Sequence, residues 1–194
     1  PELLATIQKI EKRGAFDIAK RALQTSGQVF RYAIATGRAE RDISADLKGA
    51  LTVRKTIHHS KLEESELPEF LQKLEKYDGK DQTKLALKFL ILTFVRTIEL
   101  RGARWEEVNF DKKEWHIPSE RMKMGYKHIV PLSSQAIAIL EEIKRFNGNY
   151  EFIFPSQNNK HKQMSENTLL YAMYRMGYHS RATPHGFRST ASTI

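Results

Sequence analysis

The stretch Leu85–Leu100 reads LALKFLILTFVRTIEL, and it decides the fold of the longer part of this chain. From Leu85 to Val95 the apolar side chains fall on nearly every side of a helix, which is the pattern of a helix buried on all its faces. The sequence therefore predicts a domain built around a central helix. Arg96 follows at the end of this helix, and Glu99 comes three residues later, where one helical turn would bring its carboxylate to the guanidinium.

After the central helix the period of the sequence changes. Two strand-like runs, 114–118 and 128–131, flank a Lys-rich, Gly-containing stretch from Glu120 to Lys127. This pattern predicts a β-hairpin or small sheet edge with a basic tip. Further helices are expected at 133–146, 165–176 and from Thr183-Pro184 onward, with a brief extended segment at 150–154. Thr183 and Pro184 favour a helix start, because threonine caps helices well and proline is preferred at the first helical position.

The first part of the chain predicts a small helical unit. Apolar residues recur at helical spacing over 2–12 and 15–35, with Gly37 as a C-terminal cap, and a short third helix follows Ser44. Its outward faces carry basic residues: Lys12, Arg13, Lys20, Arg21, Arg31, Arg38 and Arg41. Residues 52–61 lose the helical period and indicate a basic linker, and a capped amphipathic helix follows at 65–77. The fold class is therefore mainly α with a small β-sheet or hairpin, divided into domains at 1–55 and 63–194 by a linker at 56–62.

The charge of the chain points to a polyanionic partner. The 194 residues contain 32 Lys and Arg against 23 Asp and Glu, which gives a net charge of +9. Residues 1–61 hold 12 Lys and Arg against 6 Asp and Glu, so the first third carries most of the excess. Such a balance is informative about binding partners rather than about fold. A polyanion is the natural candidate.

Other features narrow the class of protein. The chain has no cysteine, which excludes disulfides and thiolate metal sites. No apolar run has membrane-spanning length and no signal peptide is evident, so we expect a cytoplasmic protein with no membrane partner. The sequence opens on Pro1 rather than Met, and the last predicted helix has no stop signal before Ile194. We expect a fragment that is cut inside an element.

Five side chains together suggest a site for a phosphate group. Arg96 offers a planar guanidinium for two phosphate oxygens, with Glu99 fixing its orientation. Lys123, on the hairpin tip, can protonate a leaving oxygen if its pKa is lowered in a groove. His185 and Arg188 lie one turn apart at a predicted helix N-terminus, where backbone N–H groups favour an anion. The set indicates phosphoryl transfer on nucleic acid without a metal or other cofactor.

Each segment alone also fits a plainer role. Arg96 and Glu99 could form an ion pair between helices, a lysine at a hairpin tip commonly only adds solubility, and His-x-x-Arg arises readily by chance. His58 and His59 have no cysteine or carboxylate at ligand spacing, so we expect no metal site. The two tryptophans, Trp105 and Trp115, are expected in the core rather than as platforms for base stacking.

Three ordered segments resemble tyrosine recombinases of the phage-type integrase family, in the branch found in prophages and genomic islands. Leu92–Asn109 is similar to the first catalytic-arginine region, Arg121–Ser133 to the catalytic-lysine hairpin, and Thr183–Arg188 to the His-x-x-Arg box. The resemblance spans roughly 60–194 and extends more loosely over 1–55. It implies a partial helical core-binding domain, which binds DNA, followed by a mainly helical catalytic domain.

The resemblance also implies roles for single residues. Arg96 and Arg188 would clamp the scissile phosphate, Lys123 would protonate the leaving 5′-oxygen, and His185 would assist proton transfer to or from the nucleophile. A tyrosine would attack and form a 3′-phosphotyrosyl bond, so that DNA is cleaved and rejoined without a nucleotide cofactor. Contacts to DNA are expected from Lys12, Arg13, Lys20, Arg21, Arg54, Lys55 and Lys127. Self-association on DNA is expected of the whole protein.

The chain departs from the family pattern in two ways. A glycine frequent before the first arginine is Phe94 here. The second histidine-or-tryptophan position and the tyrosine, which follow the box in the family, are absent from the six residues after Arg188. We therefore expect this chain to bind DNA without cleaving it. Two other functions remain open. A noncatalytic basic DNA-binding module predicts that loss of Arg96 or Arg188 weakens binding no more than loss of Lys20. A protein-interaction module predicts association that is insensitive to salt.

Overall fold

The computed structural model describes residues 2–52 and 62–192, and the chain divides into two compact units, Pro1–His58 and His59–Ile194. The predicted linker at 56–62 lies outside the described residues except for Leu62. The division into domains at 1–55 and 63–194 therefore stays a prediction. The predicted class, mainly α with a small sheet, is confirmed.

The first unit consists of two packed helices and a short turn. Helix α1 spans Glu2–Lys12 and α2 spans Phe16–Ala35. They bury Ile7 and Ala19, which lie on the apolar stripes that the sequence spacing predicts. After α2, Gly37 adopts a left-handed φ of 68° and the next N–H bonds back to the carbonyl of Ala33 at 2.7 Å. This is the predicted glycine cap. The short helix expected after Ser44 is a 3₁₀ turn, Ala45–Leu47.

The second unit is built around the helix that the sequence places at its centre. Helices α3 (Leu67–Glu75) and α4 (Asp81–Thr93) precede a short helix α5 (Thr97–Arg101), and α6 (Ser134–Asn147), α7 (Thr168–Arg175) and α8 (Gly186–Ala191) follow the sheet. Along α4 the side chains of Leu85, Ala86, Leu87, Phe89 and Leu90 are at most 4% exposed. Helices α6 and α7 both pack against α4. The predicted central, buried position of the helix is therefore found over most of its surface, while Lys84, Lys88 and Ile91 are half-buried and Leu92 is 38% exposed on the remaining side.

The sheet is antiparallel in the order β1-β2-β3, formed by Val108–Asn109, Glu114–Ile117 and His128–Pro131. Trp115 pairs with Val130 and lies fully buried, with its ring 5.8 Å from that of Phe89 on α4. The sheet is thereby fixed to the central helix. The predicted hairpin is confirmed, and its tip lies between β2 and β3.

Two local expectations were wrong in detail, and a third is settled between its alternatives. The central helix ends at Thr93, so Arg96 lies after it, and α5 is a separate helix. The segment 150–154, expected as a brief strand or an extended segment, forms no named strand but contributes one bridge, between Phe152 and Arg104. Helix α8 begins at Gly186, because the Thr183 backbone and hydroxyl oxygens accept the N–H of Gly186 in a preceding turn.

Candidate functional site

Phe94 makes the turn on which the candidate site is built. It follows α4 in a left-handed conformation, with φ 50° and ψ 23°, and its N–H still bonds to the carbonyl of Leu90 at 2.9 Å. Arg96 is then extended, with φ −72° and ψ 149°, and α5 begins at Thr97. The chain thus breaks sharply between two helices, and Arg96 stands at the break.

Glu99 holds Arg96 through two hydrogen bonds. The Arg96 backbone N–H donates to Glu99 Oε2 at 2.8 Å, and Arg96 Nη1 donates to Oε1 at 2.6 Å. The Glu99 side chain is 1% exposed, whereas 33% of the Arg96 side chain remains exposed. One carboxylate therefore caps α5 and orients the guanidinium together. The pairing agrees with the spacing argument, although it occurs at the start of a new helix.

Arg188 reaches the same turn from the other end of the second unit. Its Nη1 donates to the carbonyl oxygen of Phe94 at 2.5 Å, across 94 positions of sequence. Helix α8, which carries Arg188, is anchored by Phe187, 2% exposed and with its ring 5.1 Å from Phe70. Within the described residues Arg188 forms no ion pair. Arg188 thus contacts the turn that precedes Arg96, and within the described residues the only carboxylate bonded to either arginine is that of Glu99.

His185 lies one helical turn before Arg188. It precedes the first residue of α8, its side chain is exposed, and its carbonyl accepts the Arg188 N–H at 3.2 Å. The predicted spacing of these two side chains on one helical turn is present. The ring of His185 has no hydrogen-bond partner in the described part of the chain, so both of its nitrogens remain available.

Lys123 lies on the tip of the hairpin. Its side chain is exposed and has no ion-pair partner among residues 2–52 and 62–192. Gly125 has a left-handed φ of 70°, and its neighbours Met124 and Tyr126 are 72% and 76% exposed. A cationic tip with two uncovered apolar side chains resembles a surface for a ligand more than a packed corner. A buried Lys123 paired with a carboxylate, which would favour a purely structural role, is not what is found.

Arg121 is a residue of this region that sequence reasoning missed. Its Nη2 donates to Glu107 Oε2 at 2.5 Å and its Nη1 donates to the backbone oxygen of Glu99 at 3.3 Å. Burial is the main cause that lowers the pKa of the Arg121 guanidinium, and the charge of Glu107 opposes it. The partners lie 14 and 22 positions away, so no local pattern could have revealed them.

The residues predicted to contact DNA are all exposed where the structure describes them. Lys12 and Arg13 lie at the end of α1, Lys20 and Arg21 lie in α2, and Lys127 follows the hairpin tip. None of these five forms an ion pair with another described residue. Arg54 and Lys55 lie outside the described residues. Exposure without a carboxylate partner leaves these charges available to a polyanion.

Metal sites and membrane spans are both absent from the described residues. Neither residues 2–52 nor 62–192 contain a group of three or more His, Asp or Glu side chains placed to hold a metal ion. Across the same ranges every helix is too short or too polar to span a membrane.

The sequence of the chain is similar to those of known integrases. A model described as the phage integrase family matches residues 60–194, and one described as the phage integrase central domain matches residues 1–50. The integrase of Enterobacteria phage P4 is 40% identical, over 97% of this chain and 46% of that protein. Prophage integrase IntZ of Escherichia coli (strain K12) is 38% identical, over 99% of this chain and 47% of that protein. The chain spans about half the length of these curated relatives.

Solved structures share the fold. A lambda integrase dimer bound to a COC′ core site matches with a TM-score of 0.77 and 21% identity, over 100% of this chain and 56% of that one. The Tn1549 transposon integrase in complex with circular intermediate DNA matches with a TM-score of 0.78 and 14% identity, over 97% of this chain and 70% of that one. At such identities the likeness concerns the fold alone.

Proposed function

The chain belongs to the phage integrase family of tyrosine recombinases, and we propose that it carries the phosphate-binding part of an enzyme for site-specific DNA recombination. The reaction would integrate or excise a mobile element by cleaving and rejoining double-stranded DNA. The substrate and the reaction are proposed for the whole protein. Its place of action would be the bacterial cytoplasm, on nucleoid DNA.

One observation carries this proposal: the hydrogen bond from Arg188 Nη1 to the carbonyl of Phe94, two residues before Arg96. A phosphate in a transition state gains charge on its non-bridging oxygens, and fixed guanidinium donors stabilise that charge. Arginine suits the task because its planar fork matches two oxygens at once. Two arginines at one turn, with one carboxylate bonded to Arg96 alone, would leave a net positive site for a single phosphate.

The proposed reaction forms one bond to phosphorus and breaks another, and the residues of this chain assist both changes. A tyrosine oxygen attacks the scissile phosphorus, so that an O–P bond forms and the P–O5′ bond breaks. His185 assists transfer of the tyrosine proton, and Lys123 donates a proton to the leaving 5′-oxygen. Arg96 and Arg188 bind the phosphoryl oxygens throughout. The phosphotyrosyl ester keeps the bond energy, so rejoining runs the same steps in reverse and needs no cofactor.

The attacking tyrosine is assigned to none of these 194 residues. Since the curated relatives are about twice as long, we propose that the tyrosine belongs to sequence of the whole protein outside this chain. The lambda integrase of the structural comparison is a dimer on DNA. We propose that the whole protein likewise associates with itself on DNA.

Exposed basic residues of the first unit support the DNA-binding part of the proposal. Lys12, Arg13, Lys20 and Arg21 would contact backbone phosphates, which position a protein on DNA but carry no base information. The attachment-site sequence would have to be recognised by other contacts. Lys127, beside the hairpin tip, would add a phosphate contact close to Lys123. Arg54 and Lys55, in the basic segment 52–61, are also proposed to contact DNA phosphates.

Trapping of the covalent intermediate tests the proposed reaction. The full-length protein would be incubated with a nicked suicide duplex that carries the element's own junction sequence, and the protein–DNA adduct would be counted on a denaturing gel. The adduct should form, and alanine at Arg96 or Arg188 should abolish it while much of the binding remains, because each residue acts mainly on the transition state. A Lys20→Ala variant should bind less tightly yet still form adduct at saturating protein. If Arg96→Ala and Arg188→Ala reduce DNA binding and adduct formation no more than Lys20→Ala does, the noncatalytic DNA-binding module is the better account.

A further inference from the structure

We propose that Arg121 is a positioning residue that locks the base of the lysine hairpin to the helix carrying Glu99, and so sets Lys123 relative to Arg96. The inference rests on the proposed function, because it concerns delivery of the Lys123 proton to the leaving oxygen. It adds a residue to which the family resemblance gives no role. Arg121 itself need not touch DNA.

The contacts of Arg121 bridge three elements. It ends the 3₁₀ turn Ser119–Arg121 that follows β2, while Glu107 immediately precedes β1 and Glu99 belongs to α5. The Arg121 side chain is 22% exposed and that of Glu107 is 7% exposed. One guanidinium therefore connects the hairpin base both to the sheet edge and to the helix beside Arg96.

Glu107 is itself held firmly. Its Oε2 also accepts the Trp115 indole N–H at 3.0 Å and the Arg104 backbone N–H at 3.1 Å. Trp115 is fully buried in the core. The Glu107 carboxylate that accepts the hydrogen bond from Arg121 therefore cannot move without disturbing the core. Its bond to Arg121 holds the Arg121 side chain in place.

Gly102 is shaped for this guanidinium. Its φ of −88° and ψ of 6° are open to any residue, so its backbone conformation does not require glycine. A Cβ built at Gly102 would lie 2.5 Å from Arg121 Nη1 and 3.4 Å from Arg121 Cδ. The absence of a side chain at the end of α5 therefore serves the close approach of Arg121.

Stability alone explains the arrangement poorly. A buried ion pair has a desolvation cost that its attraction only roughly offsets, and apolar residues of similar volume often do as well. Arg121 Nε is also buried without a hydrogen-bond partner in the described structure. An arginine that is costly to bury and incompletely satisfied is better explained by what it fixes in place.

What it fixes is the approach to Lys123, two residues further along. The paired strands end at Ile117 and His128, which form the last residue pair before the tip. Between that pair and Lys123, Arg121 bonds to Glu99, whose carboxylate holds Arg96. The tip itself is exposed and has few contacts of its own. Glu99 thus positions both groups. Its backbone oxygen holds Arg121 and with it the hairpin that carries Lys123, and its carboxylate holds Arg96.

The test compares two leaving groups in single-turnover cleavage by the full-length protein. One suicide duplex has the ordinary 5′-oxygen at the scissile phosphate, and the other has a bridging 5′-sulfur, which leaves as a thiolate without needing a proton. The variants are Arg121→Met and Gly102→Ala, with Lys123→Ala as the reference for a lost acid. Arg101→Met is the matched control, because Arg101 also lies on α5 and bonds a backbone oxygen, that of Met164 at 2.7 Å, but has no hydrogen bond to the hairpin or to Glu99 within the described residues.

Loss of the general acid should slow the oxygen substrate selectively. Lys123→Ala should lose about 100-fold or more on oxygen and recover on sulfur, since general acid catalysis contributes roughly that factor. Arg121→Met and Gly102→Ala should slow cleavage of the oxygen substrate about tenfold and that of the sulfur substrate little, because a misplaced acid transfers its proton to the leaving oxygen less effectively. Arg101→Met should keep the wild-type ratio of the two rates. Adding Gly102→Ala to Arg121→Met should cause no further loss, because the glycine serves that arginine.

Three results would overturn the proposal. Arg121→Met and Gly102→Ala could slow both substrates equally, which would indicate general damage to the fold. They could leave both rates unchanged, or Lys123→Ala itself could show no oxygen-selective loss. In the first two cases wild-type adduct still forms and the proposed function survives. In the third case the proposed role of Lys123 as proton donor fails too, although adduct formation still supports the recombination reaction. If the wild type forms no adduct on either substrate, the proposed function fails first. Should Arg121→Met not fold, Gly102→Ala retains the arginine and decides alone.

Discussion

At the scale of single residues, Phe94 has the most informative backbone. A left-handed conformation costs a non-glycine residue on the order of 1 kcal/mol, yet Phe94 adopts it at φ 50°. The conformation ends α4, releases the chain toward Arg96 and exposes the carbonyl that accepts Arg188. The family resemblance associates glycine with this position, and the left-handed turn gives a physical reason for that preference.

A pair of substitutions at Phe94 tests this strain. Phe94→Gly should be more stable than Phe94→Ala by about 1 kcal/mol, because both remove the ring but only glycine relieves the left-handed strain. Urea unfolding of both variants gives the comparison. The same pair at Ile98, a 58% exposed residue inside α5, should show the ordinary order with alanine more stable. Alanine above glycine at position 94 would contradict the account of the turn.

Glu99→Gln should destabilise the second unit by on the order of 2 kcal/mol, because the carboxylate accepts from both the backbone and the guanidinium of Arg96, whereas an amide would turn a donor toward one of these donors. Thermal or urea unfolding measures the loss. Glu106→Gln is the control, because Glu106 is 75% exposed and lies 3.7 Å from Arg104, so its loss should be near zero. Equal effects of the two substitutions would sink the argument for Glu99.

At the scale of elements, the sequence predicted correctly those features of helices and strands that depend on neighbouring residues. The burial of α4, the Gly37 cap and the pairing of β2 with β3 all follow from the period of apolar residues and from turn chemistry. The break after Thr93 was missed, because the apolar run continues to Val95 and no sequence rule places phenylalanine in a left-handed turn. The helix was therefore predicted two residues too long, and Arg96 was placed on it.

Long-range contacts account for the rest of what sequence reasoning missed. Arg96 and Glu99 are three residues apart, so their contact could be predicted from helical spacing. Arg121 meets Glu99 and Glu107 only because the sheet folds back on α5, and the buried Gln82 amide donates to Pro155 across 73 positions. Convergence of Arg96 and Arg188 on one phosphate is expected from the family resemblance and not from any local pattern, and it stays a prediction.

The hairpin yields a prediction about motion. Amide hydrogens at residues 123–127 should exchange fast in the free chain, because the tip is exposed and carries little apolar anchoring. Those of Trp115 and Val130, in the paired strands, should exchange slowly. Hydrogen exchange followed by mass spectrometry or NMR resolves both regions, and duplex DNA should slow the tip. A tip as protected as the strands without DNA would contradict a mobile lysine carrier.

At the scale of the whole molecule, the net charge of +9 and the exposed basic residues predict salt-dependent binding to DNA. With about six phosphate contacts, affinity should fall on the order of a thousandfold between 50 and 200 mM salt. Titration of labelled duplex with the 194-residue chain at several salt concentrations measures the slope. A double variant, Lys20→Gln with Arg21→Gln, should reduce the slope by about one to two contacts. Lys73→Gln should leave it unchanged, because Lys73 already pairs with Glu69 at 2.7 Å.

A flat response to salt would remove the DNA partner and with it the proposed reaction. A steep response alone would still fit a noncatalytic DNA-binding module. The central claim is narrower than binding, since it holds that Arg96 and Arg188 grip one phosphate.

The most direct measurement is therefore a crystal structure of this chain with duplex DNA. We expect a single backbone phosphate with oxygens about 3 Å from the guanidinium nitrogens of both Arg96 and Arg188. Glu99 should remain bonded to Arg96, and the hairpin should bring Lys123 to the 5′ side of the same phosphate. A structure in which the two arginines bind different phosphates, or in which the DNA leaves the turn at Phe94 uncovered, would contradict the claim.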